Sequence, residues 1–273
     1  MDNKCKTKYP IVLVHGVGFR DLKWPVYWGR IPKALQEHGA NIYYGFQDSW
    51  ASMSTNSHVL KERISQILLE TEAEKVNLIG HSKGGLEIRM VASSLGMGDK
   101  IASITTIATP HNGSKTIDRL LKAPKNIFNI AAFAVDNWIK LVGDKKPDFL
   151  TVCREFSTEH MRQFNYENPD CPGVFYQSYA CLLSHPFSDI NLTTANIVIK
   201  LIEGENDGLV TVSSAAWGKT NKVLRSANWR GISHIDAIDV RRLPFNKKSR
   251  PGYVSDIVDI YEDIAGGLKE RGF

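Results

Sequence analysis

The chain has 273 residues, 42% of them hydrophobic and 23% charged, a balance that supports a large buried core and excludes compositional disorder. Its net charge of +5 is mild for the length, and its basic cluster, Arg241 to Arg250, is interrupted by Pro244, Asn246 and Ser249, which reads as a solvated loop rather than a nucleic-acid surface. No apolar run approaches the roughly 20 residues that span a bilayer, and the opening MDNKCKTKYP holds no apolar signal segment, so the expectation is a cytoplasmic protein or a secreted one written without its leader.

Ile11 to Val14 reads as a short buried strand that runs into His15-Gly16. Trp28 to His38 reads as a helix, with Ile31, Ala34 and Leu35 on one face and Gly39 just past its end. Asn41 to Tyr44 is a candidate strand. Ser57 to Glu72 is amphipathic, with Leu60, Ile64, Ile67 and Leu68 spaced for one helical face. A strand over Val76–Ile79, a glycine-rich turn and a helix over Gly84–Leu95 follow, then a strand over Ile101–Ile107. Further on, Ile197 to Ile202 reads as a strand ending in ENDGLV, Lys222–Leu224 as a weak last strand, and Asp256–Leu268 as a closing helix. Alternation of this kind predicts one α/β domain over residues 1–273, a mostly parallel sheet covered on both faces.

The stretch 114–185 breaks the alternation. It mixes apolar helical segments with loop signals at Pro147, Pro169, Pro172 and Gly173, and reads as an insertion over one end of the sheet. Helices that simply cover the sheet are the alternative. Within it Ile127, Ile130, Ala131, Ala134, Trp138, Ile139 and Val142 form an apolar helical stripe. The four cysteines, Cys5, Cys153, Cys171 and Cys181, show no metal spacing; Cys171 and Cys181 suit a bridge within a loop, and free thiols suit them equally.

Gly80-His81-Ser82-Lys83-Gly84 is a G-x-S-x-G pentapeptide, and its place between a predicted strand and a predicted helix makes it a nucleophile elbow. The glycines two positions either side leave room for the neighbouring strand and helix. An alcohol needs a base, and the base needs an orienting acid, in the chain order serine, acid, histidine. His111, His160, His185 and His234 follow Ser82. His234, in the late loop GISHID, stands where the base belongs. Asp207, ahead of Gly208, suits the acid, with Glu203 and Glu205 as rivals. His81 is expected to point away from the serine and pack beneath the elbow. The oxyanion formed on attack needs two donors. The Lys83 N–H at the start of the helix and the Val17 N–H of the HGVGF loop are the candidates.

The segments YPIVLVHGVGF, VNLIGHSKGG, IATPHNGS, FNYENPDCPGV, ENDGLV and SHID resemble, in order from Tyr9 to Asp236, the landmarks of the bacterial true lipases of the Pseudomonas type. The resemblance implies an α/β-hydrolase fold and hydrolysis of acylglycerol esters. It assigns Ser82 as nucleophile, Asp207 as acid, His234 as base, and the Val17 and Lys83 N–H groups as oxyanion donors. It further implies a helical lid within the insertion and a structural calcium, held by Asp189 and Asp236 with carbonyls of the histidine loop; Asp239 competes for the ligand role. No organic cofactor is expected. Two departures stand out: a lysine at position 83, where a neutral or imidazole side chain is familiar, and no cysteine after Cys181 to close the family's disulfide. An esterase or polyester hydrolase would use the same triad. A catalytically silent binding protein, or inserted helices that serve dimerisation, are readings of a different class.

Overall fold

A computed structural model describes residues 3–18, 21, 26–122, 149–246 and 250–273. The apolar stripe from Ile127 to Val142 lies outside the described residues. Among the described residues the sheet has six strands: β1 (Ile11–Val14), β2 (Ile42–Tyr44), β3 (Val76–His81), β4 (Ile101–Ile107), β5 (Phe175–Cys181) and β6 (Thr220–Leu224). Their order is β2-β1-β3-β4-β5-β6 and each neighbouring pair is parallel.

β1 shows how the sequence makes such a sheet. All four residues of Ile-Val-Leu-Val are buried, because both faces are covered. Successive side chains alternate between the faces. Ile11 and Leu13 join Ile31 and Leu35 of α1 (Ile31–Glu37) and Tyr261, Ile264 and Leu268 of the C-terminal helix (Ile257–Glu270). Val12 and Val14 join Leu60, Ile64 and Ile67 of α2 (Met53–Thr71) and Ile88 and Val91 of α3 (Lys83–Ala92). Each such fully buried aliphatic side chain contributes on the order of 2 kcal/mol. Ser52 caps α2 by accepting the Thr55 N–H, and Asp256 caps the C-terminal helix by accepting that of Val258.

Two expectations are corrected. Ile197 to Ile202 is not a strand; it lies within a helix, Thr193–Glu203, closed by Gly204 at φ +100°. Its β-branched residues favour a strand locally, but β5 and β6 pair directly with one another and leave no gap in the sheet for it. The helix buries Asn196 and Ile199 and leaves Val198 and Leu201 exposed. Asp207 therefore follows a helix rather than a strand. The stretch 114–185 is also not all insertion, since it contains β5, which sits between β4 and β6. β5 is hard to recognise because its sequence, FYQSYAC, carries buried polar residues. Those are paired: Gln177 Nε2 donates to Thr105 Oγ1 at 2.9 Å and Ser178 Oγ to the Trp217 carbonyl at 2.9 Å. The helices Lys115–Leu121, Phe149–Glu155 and Thr158–Glu167 precede it. None of the four cysteines is disulfide-bonded, so Cys171 and Cys181 form no bridge.

The register matters most at the carboxyl ends of the strands. Val14 stands opposite Gly80, and Ser82 N–H donates to the Ile107 carbonyl at 2.9 Å. These pairings set the loop after β1 beside the turn after β3. The turn is too tight for side chains: a Cβ on Gly80 would lie 2.7 Å from the Gly85 Cα, and one on Gly84 would collide with the carbonyls of Val14 and His15. Gly84→Ala is expected to lower the unfolding free energy by about 2 kcal/mol or more, measured by urea denaturation. An unchanged midpoint would show that strand and helix have room to separate.

Candidate active site

Ser82 sits between β3 and α3 at φ 55° and ψ −127°. Residues with a Cβ avoid this region, and the conformation persists because strand, helix and glycines over-determine it. Lys83 is the first residue of α3, so its N–H has no partner one turn back and points out of the helix N-terminus. Ser82 is 5% exposed and lines a cavity of about 240 Å³.

His234 and Asp207 arrive from far along the chain. His234 Nδ1 lies 2.8 Å from Asp207 Oδ2. A carboxylate only accepts, so Nδ1 carries the proton and Nε2 is left as an acceptor. The other oxygen, Asp207 Oδ1, accepts the N–H groups of Leu209 at 2.9 Å and Val210 at 2.8 Å. Gly208, at φ +107°, makes that turn possible. The main chain repeats the connection, with His234 N–H donating to the Asp207 carbonyl at 2.8 Å. Both residues are buried, and His234 lines the same cavity as Ser82.

The rivals are engaged elsewhere. His111 is buried between Thr106 and Arg89 and stacks on Trp217, and burial holds its pKa well below the usual histidine range. His160 lines a different cavity, while His185 accepts the Phe187 N–H. Glu203 accepts from Ser114 Oγ and the Thr116 N–H, and Glu205 pairs with Arg225 at the surface.

The loop after β1 supplies Val17 to the cavity wall. The preceding N–H, of Gly16, is already used: it donates to Tyr27 Oη at 2.7 Å. The phenol proton of Tyr27 therefore goes to His81 Nδ1, also at 2.7 Å. Burial raises the Tyr27 pKa and lowers that of His81, so phenol and neutral imidazole are the forms that meet. His81 thus packs beneath the elbow and away from the serine, as the sequence suggests. Gly16 N–H is thus engaged, while Val17 lines the cavity together with Ser82.

The Lys83 side chain turns inward. Its Nζ donates to Glu87 Oε1 at 2.5 Å, with both side chains about 1% exposed. Glu87 also accepts from Asn56 Nδ2 at 2.7 Å and Gln47 Nε2 at 3.3 Å. Gln47 Nε2 donates to the His15 carbonyl as well, at 2.8 Å. One buried carboxylate therefore ties the start of α3 to the loop that carries Val17. Sequence reading misses Tyr27, Gln47, Asn56 and Glu87; a buried lysine one turn before a glutamate is the available signal. It also misses the apolar cavity wall, made by Ile117, Leu120, Val152, Phe156, Leu209 and Val210.

Asp189 and Asp236 come together, as the resemblance implies for calcium, but around a side chain. Arg241 Nη2 donates to Asp189 Oδ2 at 2.7 Å and Arg241 Nε lies 3.3 Å from Asp236 Oδ1. Asp239 pairs instead with Arg30, at 2.7 Å. No group of three or more His, Cys, Asp or Glu among the described residues is placed to hold a metal ion. Calcium takes six to eight oxygens at about 2.3–2.6 Å; carboxylates turned onto a guanidinium do not fit it.

Residues 10–168 match the family model described as palmitoyl protein thioesterase. A triacylglycerol lipase of Pseudomonas fragi is 36% identical over all of both chains. One of Burkholderia plantarii is 42% identical over 87% of this chain and 81% of its own. Among solved structures, a Bacillus licheniformis lipase in its mature form superposes with a TM-score of 0.66 at 20% identity, covering 88% of this chain and 90% of that one. A metagenomic carboxyl esterase gives 0.70 at 15%, over 96% and 76%. The fold is that of the α/β-hydrolases.

The Lys83–Glu87 pair gives a prediction. Lys83→Met or Glu87→Gln alone is expected to cost about 3 kcal/mol or more, because each leaves a partner buried and unpaired. Combining Lys83→Met with Glu87→Met is expected to cost less than the sum of the separate Lys83→Met and Glu87→Met losses. Additive losses in chemical denaturation would show that the two side chains act independently.

Proposed function

The chain belongs to the family of bacterial triacylglycerol lipases, and on that premise we propose that it hydrolyses acylglycerol esters through an acyl-enzyme formed on Ser82. The observation that carries the reading is an apolar cavity with Ser82 and His234 in its wall and Asp207 bonded behind the histidine. His234 Nε2 takes the Ser82 proton as Oγ attacks the acyl carbonyl carbon. The oxyanion is met by the N–H groups of Val17 and Lys83, already oriented by the β1 loop and the helix start. The charge on His234 is balanced by Asp207, whose other oxygen accepts the N–H groups of Leu209 and Val210. On collapse His234 returns the proton to the departing alcohol. Water then takes the place of the alcohol and attacks the acyl carbon as it loses a proton to His234; the bond to Ser82 Oγ breaks, His234 gives that proton to Oγ, and the carboxylic acid departs. Apolar walls favour the acyl chain by burial, at about 25 cal/mol per Å².

An esterase or polyester hydrolase would run the same chemistry on other substrates. Among the described residues no helix is long and apolar enough to cross a membrane. Hydrolysis of an ester series graded by acyl length, below and above the solubility limit, separates the readings. A lipase turns over emulsified long-chain glycerides, whereas activity confined to short soluble esters favours the esterase.

Ser82→Ala and His234→Ala are each expected to lower kcat by about 10⁴-fold or more, with little further loss on combination, because the residues act as a unit. A fluorophosphonate is expected to label Ser82 and to fail on Ser82→Ala. Substantial turnover by Ser82→Ala would remove the serine from its assigned role.

A further inference from the structure

The loop that carries His234 is fastened to the loop that follows β5 by charged groups. Arg241 Nη2 donates to Asp189 Oδ2 at 2.7 Å, and Arg241 Nε lies 3.3 Å from Asp236 Oδ1. The remaining oxygens are also engaged. Asp189 Oδ1 accepts the Asn191 N–H at 3.3 Å and Asp236 Oδ2 accepts that of Ser233 at 3.0 Å. A second arginine reinforces the contact: Arg230 Nε donates to the Ser188 carbonyl at 3.0 Å, and its Nη2 lies 4.0 Å from Asp236 Oδ2. Asp189 and Asp236 are 2% and 3% exposed, and the Arg241 guanidinium lies against both buried carboxylates.

Two buried carboxylates carry two negative charges, and Arg241 with Arg230 supplies two positive ones, the charge of one divalent ion. A guanidinium is a rigid planar fork that spans two carboxylates without coordinating either. We propose that Arg241 is the built-in cation of this site: it does in this chain what a bound calcium would do, and the protein neither binds nor needs calcium to hold His234 in place. Arg241 is a positioning residue. It touches no substrate, and acts by fixing Asp236, two residues from His234, against Asp189. From there His234 N–H reaches the Asp207 carbonyl and its ring reaches the carboxylate. The arginine clamp also replaces a covalent tie, since no cysteine follows Cys181 and Cys181 itself is a free thiol.

The catalytic part of this inference rests on the hydrolase reading; the binding part does not. The test therefore has arms that need no substrate. Thermal unfolding of the wild-type protein is expected to be the same in a calcium chelator and in excess calcium chloride, and calorimetric titration with calcium is expected to give no binding heat. Arg241→Gln is expected to lower Tm, and on a short soluble ester to lower kcat about tenfold with KM little changed, the loss typical when the support of a working residue is removed. Arg241→Lys is expected to restore part of both. A wild-type Tm that falls in chelator and returns with calcium but not magnesium overturns the proposal, as does an Arg241→Gln protein with wild-type Tm and kcat. Should Arg241→Gln fail to fold, the wild-type arms decide alone. Failure of ester turnover in every protein would count against the hydrolase reading and leave the melting result standing.

Discussion

The site depends on one steric constraint, the turn at Ser82. A serine at φ 55° and ψ −127° is stable only if its neighbours leave it nowhere else to go. The Gly80 Cα faces Gly85, the Gly84 Cα faces the carbonyls of β1's last residues, and Ser82 N–H is tied to β4. Strand, helix and adjacent strand thus meet with no space for a methyl group. That closeness does two things at once. It sets Ser82 at the carboxyl end of the sheet, and it brings the chain after β1 against the start of α3.

Such an arrangement needs support from below, and the support is polar. The Tyr27 hydroxyl accepts from Gly16 and donates to His81. Glu87 accepts from Lys83, Asn56 and Gln47. An apolar filling would be cheaper to bury, but it carries no direction. Hydrogen bonds between fully buried groups have one good geometry and a large cost for losing it. The lysine that departs from the usual elbow sequence is part of this support. Its backbone N–H remains at the helix start whatever the side chain is, while its ammonium group is neutralised beneath.

The serine and the histidine are held by different physics. The serine is positioned by steric exclusion among regular elements. The histidine lies on a loop, and a loop needs cross-links. Here they are the backbone bond from His234 to Asp207, the carboxylate–imidazole bond, and the arginine-bridged carboxylates on the far side. Each connects residues distant in sequence, so the base is only as well placed as the fold of the whole carboxyl-terminal third.

What the sequence by itself determined is what local periodicity and chain order can carry. Ile11–Val14, the helix read over Ser57–Glu72, the strands at Val76 and Ile101 and the closing helix each announce an apolar face, and the structure has these elements, the long helix beginning four residues earlier at Met53. The G-x-S-x-G context and the order serine, aspartate, histidine picked out three residues that the structure brings to one cavity or into contact. Periodicity does not report what already fills the neighbouring space, and there the tertiary structure decided. Ile197–Ile202 has the composition of a strand, yet β5 and β6 pair directly and leave it no place, so it winds into a helix. β5 breaks the apolar pattern at Gln177 and Ser178, yet it takes its place in the sheet with those side chains paired to Thr105 and Trp217. The walls of the cavity beside Ser82 come from segments with no shared motif. Asp189 meets Arg241 across 52 positions of sequence. A contact of that separation is selected by the packing of everything between, and no spacing along the chain encodes it.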